Sequence, residues 1–154
     1  MTKKLGFGFM RLPLLDKENQ KSIDHATLNT LVDAFLERGF TYFDTALIYH
    51  QGESEAAARK ALVERHPRNS FALATKMPPR VLTSARDQER IFNEQLERCG
   101  VDFFDSYLVH NIGVSSYRQA LQFGTFDFVL EKKRQGRIKQ VGMSFHDTPE
   151  LLDK

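Results

Sequence analysis

Four polar side chains in this sequence stand at or just after the ends of short apolar runs, where they could form one chemical site. Asp44 and Tyr49 belong to the segment FDTALIYH. Lys76 ends the run FALATK, and His110 ends FFDSYLVH. Taken singly, each has an ordinary alternative: a turn cap, a packing tyrosine, a lysine whose stem reaches water, or a hydrogen-bonded histidine. Their recurrence at successive run ends favours a shared site.

These four residue types could together protonate and orient a carbonyl group. A tyrosine normally titrates near pH ~10, and a neighbouring lysine ammonium lowers the pKa of such a phenol. An aspartate beside the lysine keeps the ammonium charged and in place. A neutral histidine can donate a hydrogen bond to a carbonyl oxygen. The set holds no electron source, so a reduction would need a hydride from a cofactor such as a nicotinamide.

Segments of helical periodicity alternate with the apolar runs that carry these residues. The first helical segment places five apolar side chains on one face: Leu28, Leu31, Val32, Phe35 and Leu36. A later helix is predicted to begin with Ser84 as its N-cap and to end at Gly100. Another helical segment is predicted to break near Gly124. The order is strand then helix, four times, followed by a fifth strand and a helical turn that opens at Pro149.

Alternating strands and helices predict a parallel sheet, either in a doubly wound domain or in a (β/α)8 barrel. In both architectures ligands bind at the carboxyl ends of the strands. Asp44, Lys76 and His110 are each predicted to occupy the last or next-to-last position of a strand. A barrel would gather these ends around one mouth, with Tyr49 in the loop that follows Asp44.

Composition places the chain among globular intracellular proteins. It has 154 residues, 41% of them hydrophobic and 27% charged, with a net charge of +2. Both signs of charge are interspersed, which argues against a nucleic-acid surface. The single Cys99, predicted to be buried, excludes an intramolecular disulfide and a cysteine-rich metal site. No signal peptide or membrane-spanning run is recognisable, so a cytoplasmic location is expected.

Five segments of the sequence resemble the aldo/keto reductase superfamily and follow the order of that family: LGFGFMRLP, GFTYFDTALIYHQGESE, ATKMP, DSYLVHN and GRIKQVGMSFHD. The resemblance implies a (β/α)8 barrel with a catalytic tetrad made of Asp44, Tyr49, Lys76 and His110. Tyr49 would be the general acid, tuned by the lysine and aspartate, and the histidine would orient the carbonyl. Tyr42 is the rival phenol, but it precedes Asp44 in the strand and is expected to lie deeper.

The same resemblance implies a nicotinamide cofactor, NADPH or alternatively NADH, and no metal. Ser144 matches the family residue that holds the nicotinamide carboxamide, although Phe145 stands where the family usually has Asn. Gly8, Met10 and Arg11 would lie under the nicotinamide end. The GMSFHD and FMRLP variants resemble a bacterial branch, some members of which carry a C-terminal iron–sulfur domain. The substrate would be a small aldehyde or ketone that is reduced to an alcohol.

The resemblance covers an incomplete barrel. About the first five strands and four helices of a (β/α)8 barrel are present, so residues 1–154 are interpreted as the N-terminal part of one truncated barrel domain. The 154-residue chain alone is predicted to be inactive and to self-associate through its open sheet edges. Two alternatives stay open: a Schiff-base aldolase that uses Lys76, and a non-catalytic half-barrel that serves as an interaction or regulatory module.

Overall fold

Five parallel strands pair in chain order in the computed structural model, which describes residues 4–153. The strands are β1 (Gly6–Gly8), β2 (Tyr42–Asp44), β3 (Ala72–Met77), β4 (Phe104–Ile112) and β5 (Ile138–Phe145). A doubly wound sheet reverses its strand order at a switch point, whereas a barrel adds each strand beside the previous one. The order β1-β2-β3-β4-β5 therefore belongs to a (β/α)8-type barrel, of which the chain forms the first five strands.

Helices cover one side of this sheet. They are α1 (His25–Glu37), α2 (Ser54–Ala58, continued by a π-helical turn, Arg59–Val63), α3 (Asp87–Cys99), α4 (Val114–Gln122), α5 (Thr125–Arg134) and α6 (Pro149–Leu152). Short 3₁₀ turns lie at Tyr49–Gly52, Arg68–Ser70 and Pro79–Val81. Gly100 closes α3 with a φ of 69°, and Gly124 separates α4 from α5 with a φ of 66°, as their sequence positions predicted.

The start of α3 differs from the prediction. The helix begins at Asp87, with Arg86 in the N-cap position, so the prediction that Ser84 caps it is wrong. The reason is that the Asp87 carboxylate bends back over the preceding turn. It accepts hydrogen bonds from the hydroxyl and amide of Thr83 and from the amide of Ser84, and these bonds lower the pKa of Asp87.

A cluster of aromatic rings fills the space between α1 and the first two strands. Phe43 of β2 is fully buried, and it contacts Phe7 and Phe35 at centroid distances of 5.6 and 5.2 Å. Since side chains alternate along a strand, the residues on either side of Phe43 face the opposite, inner side of the sheet. There the Tyr42 ring packs so closely on Gly6 that a Cβ at this glycine would lie 2.9 Å from Cδ1 of the ring.

The apolar stripe of α1 meets this cluster only in part. Leu28 and Val32 are buried, and Phe35 and Leu36 pack against the core. Leu31, at the edge of the stripe, is 44% exposed, so four of the five residues on this face pack into or against the core. Elsewhere Cys99 is fully buried, as predicted.

No helix within residues 4–153 has the length and apolar character that a membrane span requires. Nor does any group of three or more His, Cys, Asp and Glu side chains there have the geometry to hold a metal ion.

Candidate active site

The carboxyl ends of three adjacent strands bring the four predicted side chains together. Asp44 is the last residue of β2 and Lys76 the next-to-last of β3, and Tyr49 lies in the turn after β2. The Lys76 ammonium donates hydrogen bonds to Asp44 Oδ1 at 2.6 Å, to Thr45 O at 2.9 Å and to Tyr49 Oη at 3.2 Å. One buried cation thus contacts both the carboxylate and the phenol.

His110 faces the same group from β4. Its ring meets the Tyr49 ring edge to face, with the centroids 5.7 Å apart and the planes at 85°. Burial lowers the pKa of His110 to about 4, and the positive charges of Lys76 and His146 lower it further in the same direction. The imidazole is therefore neutral near pH 7, and its buried Nδ1 has no hydrogen-bond partner among the described residues.

The end of β4 departs from a regular strand. His110 lies two residues before the end, so the prediction that it is the last or next-to-last residue is wrong. The strand continues because its pairing with β5 shifts between Val109 and Ile112, and Asn111 takes a φ of 54° at this irregularity. The Asn111 amide donates a 2.7 Å hydrogen bond to Ser144 Oγ. This bond places Ser144 beside the histidine, in the kind of irregularity that often re-aims side chains next to active sites.

The turn that presents Tyr49 is fixed by its neighbour His50. This residue and Gln51 have left-handed φ values of 51° and 52°, which are unfavourable for residues with a Cβ. His50 Nε2 accepts the Leu12 amide at 3.0 Å, and Nδ1 donates to Gln20 O at 2.9 Å. These two bonds hold the strained turn against the loop after β1, and they require the neutral imidazole.

The residues proposed for cofactor binding flank the tetrad on both sides. Gly8 ends β1 directly beside Asp44, and a Cβ built on this glycine would meet no atom within 4 Å. Met10 and Arg11, which follow, are exposed. Ser144 lies on the other flank, near the end of β5. Gly8 and Ser144 therefore lie on opposite flanks of the tetrad, on β1 and β5.

A small cavity of about 50 Å³ adjoins His110. Its wall consists of Ile48, Pro78, Arg80, Val81, His110 and Asn111. The sequence did not indicate Pro78, Arg80 or Val81, because they carry no motif and reach the site only through the 3₁₀ turn after β3. The wall is mostly apolar, with one cationic side chain.

Tyr42 lies two residues before Asp44 on the inner face of β2, which is the deeper position that the sequence predicted. Burial raises the pKa of the Tyr42 phenol, and the Asp44 charge adds to this effect, although a hydrogen bond with Ser106 opposes it. Burial is the largest of these effects, so the deeper phenol is the weaker acid.

A parallel sheet wound in barrel order, with polar side chains gathered at the carboxyl ends of its strands, defines a (β/α)8-barrel protein with a site at its mouth. The sequence profile described as Aldo/keto reductase family matches residues 4–154, and the chain belongs to that family.

Individual relatives agree with this assignment. Aldehyde reductase YPR1 of Saccharomyces cerevisiae is 32% identical over 109 residues, which are 71% of this chain and 33% of the relative. The holo form of aldo-keto reductase AKR11C1 from Bacillus halodurans has a TM-score of 0.72 and 26% identity, covering 97% of this chain and 48% of that one. An aldo-keto reductase from Klebsiella pneumoniae in complex with NADPH has a TM-score of 0.71 and 22% identity, covering 96% and 47%. The chain thus spans a third to a half of the length of these proteins.

Proposed function

We propose that this chain carries the catalytic tetrad of an NADPH-dependent reductase that converts an aldehyde or ketone to an alcohol. The observation that supports this most directly is the Lys76 ammonium, which contacts the Asp44 carboxylate and the Tyr49 hydroxyl at once. Such a cation stabilises the phenolate that remains after a tyrosine has given up its proton. Tyr49 is therefore the residue suited to protonate a carbonyl oxygen.

The other members of the tetrad have supporting roles in this proposal. Asp44 holds the ammonium, and the neutral His110 donates a hydrogen bond that orients the carbonyl oxygen. The nicotinamide supplies the hydride to the carbonyl carbon when it is bound. The proton from Tyr49 completes the alcohol, and solvent then restores the phenol.

We propose that a nicotinamide ring lies beside the tetrad, between the ends of β1 and β5. Gly8 leaves the space beside Asp44 free of a side chain, and the Ser144 hydroxyl can hydrogen-bond a carboxamide while it accepts the Asn111 amide. Met10 and Arg11 would lie under the nicotinamide ring. NADPH is preferred over NADH because the Klebsiella pneumoniae relative was solved with NADPH.

The cavity wall next to His110 suggests where the substrate lies. Ile48, Pro78 and Val81 present apolar surface, and Arg80 adds one positive charge. A small carbonyl compound whose substituent contacts this wall would place its oxygen toward the histidine and Tyr49. We propose that the substrate is a small aldehyde or ketone with an apolar substituent.

Turnover is proposed to need the rest of a barrel. The chain spans about half the length of the solved relatives, and β5 leaves an apolar groove of about 290 Å³ lined by residues that include Ile112, Met143 and Leu152. A second half-barrel, fused or separate, would cover such a groove and complete the site mouth. The 154-residue chain alone is expected to be inactive.

The test compares this chain with a fusion in which the second half of a family barrel follows it. Calorimetry should show that the fusion binds NADPH and that the Tyr49→Phe fusion binds it equally well. Carbonyl reduction should fall by at least about 100-fold in this variant, because its general acid is gone. Tyr42→Phe is the matched control and should retain activity. Equal rates for the parent and Tyr49→Phe would refute the proposal.

The two alternatives make different predictions. A Schiff-base aldolase needs a free amine, whereas Lys76 is paired with a carboxylate at 2.6 Å, and borohydride should therefore trap no adduct. A non-catalytic interaction module is favoured only by the apolar groove. This second candidate gains support if neither the chain nor the fusion binds NADPH.

A further inference from the structure

A second polar cluster lies behind β3, on the helix side of the strand that carries Lys76. It consists of four fully buried residues, one from each of four elements: Glu55 of α2, Thr75 of β3, Gln95 of α3 and Tyr107 of β4. Thr75 directly precedes Lys76, so the two side chains point to opposite faces of the sheet. The cluster thus packs behind Lys76, the residue that contacts Asp44 and Tyr49.

Hydrogen bonds converge on the Thr75 side chain and on the Lys76 backbone carbonyl. Glu55 Oε1 accepts the Thr75 hydroxyl and the Gln95 amide, each at 2.7 Å. The Gln95 amide also donates to Lys76 O at 3.0 Å, while its carbonyl oxygen accepts the Tyr107 hydroxyl. The Glu55 carboxylate and the Gln95 amide therefore connect α2, α3 and β4 to β3 at Thr75 and Lys76.

The cluster also reaches the turn that presents Tyr49. Arg98 of α3 donates a hydrogen bond to Gly52 O, at the end of that turn, and its Nε lies 3.9 Å from Glu55 Oε2. The same carboxylate thus interacts with the segment behind Lys76 and, through Arg98, with the segment behind Tyr49. The 3.2 Å distance between Lys76 Nζ and Tyr49 Oη therefore depends on both segments.

We propose that Glu55 is a positioning residue: through Thr75 and Gln95 it fixes the Lys76 peptide, so that the ammonium reaches Asp44 and Tyr49 together. This inference rests on the proposed reductase function. Packing alone does not account for a carboxylate here, since desolvation raises the pKa of Glu55 and its Oε2 has no hydrogen-bond partner within residues 4–153. An apolar side chain of similar volume would fill the space at lower cost.

The test measures how tightly Lys76 is held, by mass-spectrometric rates of acetylation in the 154-residue chain across a range of pH. Glu55→Gln removes the charge, and Thr75→Val removes only a hydroxyl. Both should raise the Lys76 rate about fivefold, the effect of weakening one charge-assisted hydrogen bond. Lys132, which is 8% exposed and paired with Glu89, serves as the internal reference and should not change.

A matched control removes a carboxylate that touches neither segment. Glu64→Gln breaks an exposed ion pair with Arg59 and should leave the Lys76 rate unchanged. An unchanged Lys76 rate in folded Thr75→Val would overturn the inference. So would an equal rise at Lys76 and Lys132, because that pattern indicates general loosening. If Glu55→Gln does not fold, Thr75→Val decides the question alone.

This test and that of the reductase proposal can fail separately. The acetylation rates require no cofactor and no turnover, so they stand even if the fusion protein reduces no carbonyl. Conversely, if Tyr49→Phe abolishes reduction while Thr75→Val leaves Lys76 unchanged, only the positioning role is lost. In an active fusion, Thr75→Val should lower kcat and leave NADPH affinity as it was.

Discussion

Lys76 Nζ lies 2.6 Å from Asp44 Oδ1 although the lysine side chain is only 5% exposed. A buried ammonium needs a counter-charge, because its hydration is lost on folding. Asp44 supplies this charge from the end of the neighbouring strand, and its own side chain keeps some contact with water at 28% exposure. The pair therefore holds the ammonium where it also donates a hydrogen bond to Tyr49 Oη.

Asp44→Asn should destabilise the fold, because it leaves the Lys76 ammonium buried without its carboxylate. We expect the free energy of unfolding to fall by about 2 kcal/mol in urea titrations, less than for a fully buried pair since Asp44 is partly exposed. The double variant Asp44→Asn with Lys76→Met should recover part of the loss.

The control for this prediction is a more exposed set of contacts around Asp33. Its carboxylate binds Arg65 at 2.7 Å and His66 Nε2 at 2.9 Å, and these three side chains are 21–35% exposed. Asp33→Asn should cost at most about 1 kcal/mol. A larger loss in this variant than in Asp44→Asn would show that burial of Lys76 is not the dominant effect.

His110 should make the stability of the fold depend on pH. Its pKa is about 4 in the folded protein, against an ordinary value of 6.5, because burial disfavours the charged ring. Between these values the unfolded chain binds a proton that the folded chain does not, so stability falls as pH is lowered from 6.5 toward 4. The contribution that is lost amounts to about 2 kcal/mol.

The measurement is urea unfolding of the parent and of His110→Gln at pH 7 and at pH 4.5. The variant lacks the titrating ring, so its stability should decline less over this interval. Proton NMR of the imidazole C–H groups would follow the His110 titration directly. Identical pH dependence in the two proteins would contradict the assignment of a neutral, buried imidazole.

Much of this site could be predicted from the sequence because strand ends are local features. Asp44 and Lys76 end short apolar runs, and parallel strands in sequential order necessarily bring such ends together. The helix stops at Gly100 and Gly124 follow equally local rules. The choice between a barrel and a doubly wound sheet depends on strand order, which no local pattern contains, and it came from the family resemblance.

The second polar cluster, formed around Glu55, could not be predicted, and the reason is physical. Glu55 sits in an alanine-rich helical segment, where an acidic residue is normally solvated. Only the packing of α2 and α3 on β3 shows that it is buried against Thr75 and Gln95. Ser84 failed as a predicted cap because the helix begins only at Asp87, whose carboxylate accepts the Thr83 and Ser84 amides.

Cys99 should be nearly inert in the folded protein. It is fully buried at the end of α3, and burial raises the pKa of its thiol well above the ordinary value. We expect a disulfide reagent such as DTNB to react at least about 100-fold more slowly than in urea, because reaction requires local opening. Since the chain has a single cysteine, the absorbance of the thiolate that the reagent releases reports the reaction of Cys99 alone. Rapid reaction without denaturant would mean that the packing of α3 opens easily.

The chain is expected to self-associate through the groove between β5 and the helices α4 to α6. Met143, Leu121 and Leu152 at this groove are 46%, 55% and 50% exposed, and exposed apolar surface of this kind favours association in water. Analytical ultracentrifugation should show an average mass above that of the monomer, rising with protein concentration. Met143→Glu should shift the equilibrium toward the monomer by burying a charge in any contact. Leu15→Glu is the control, because Leu15 is 77% exposed but lies outside the groove. A monomer at all concentrations, with Met143→Glu indistinguishable from the parent, would rule out this surface as a site of self-association.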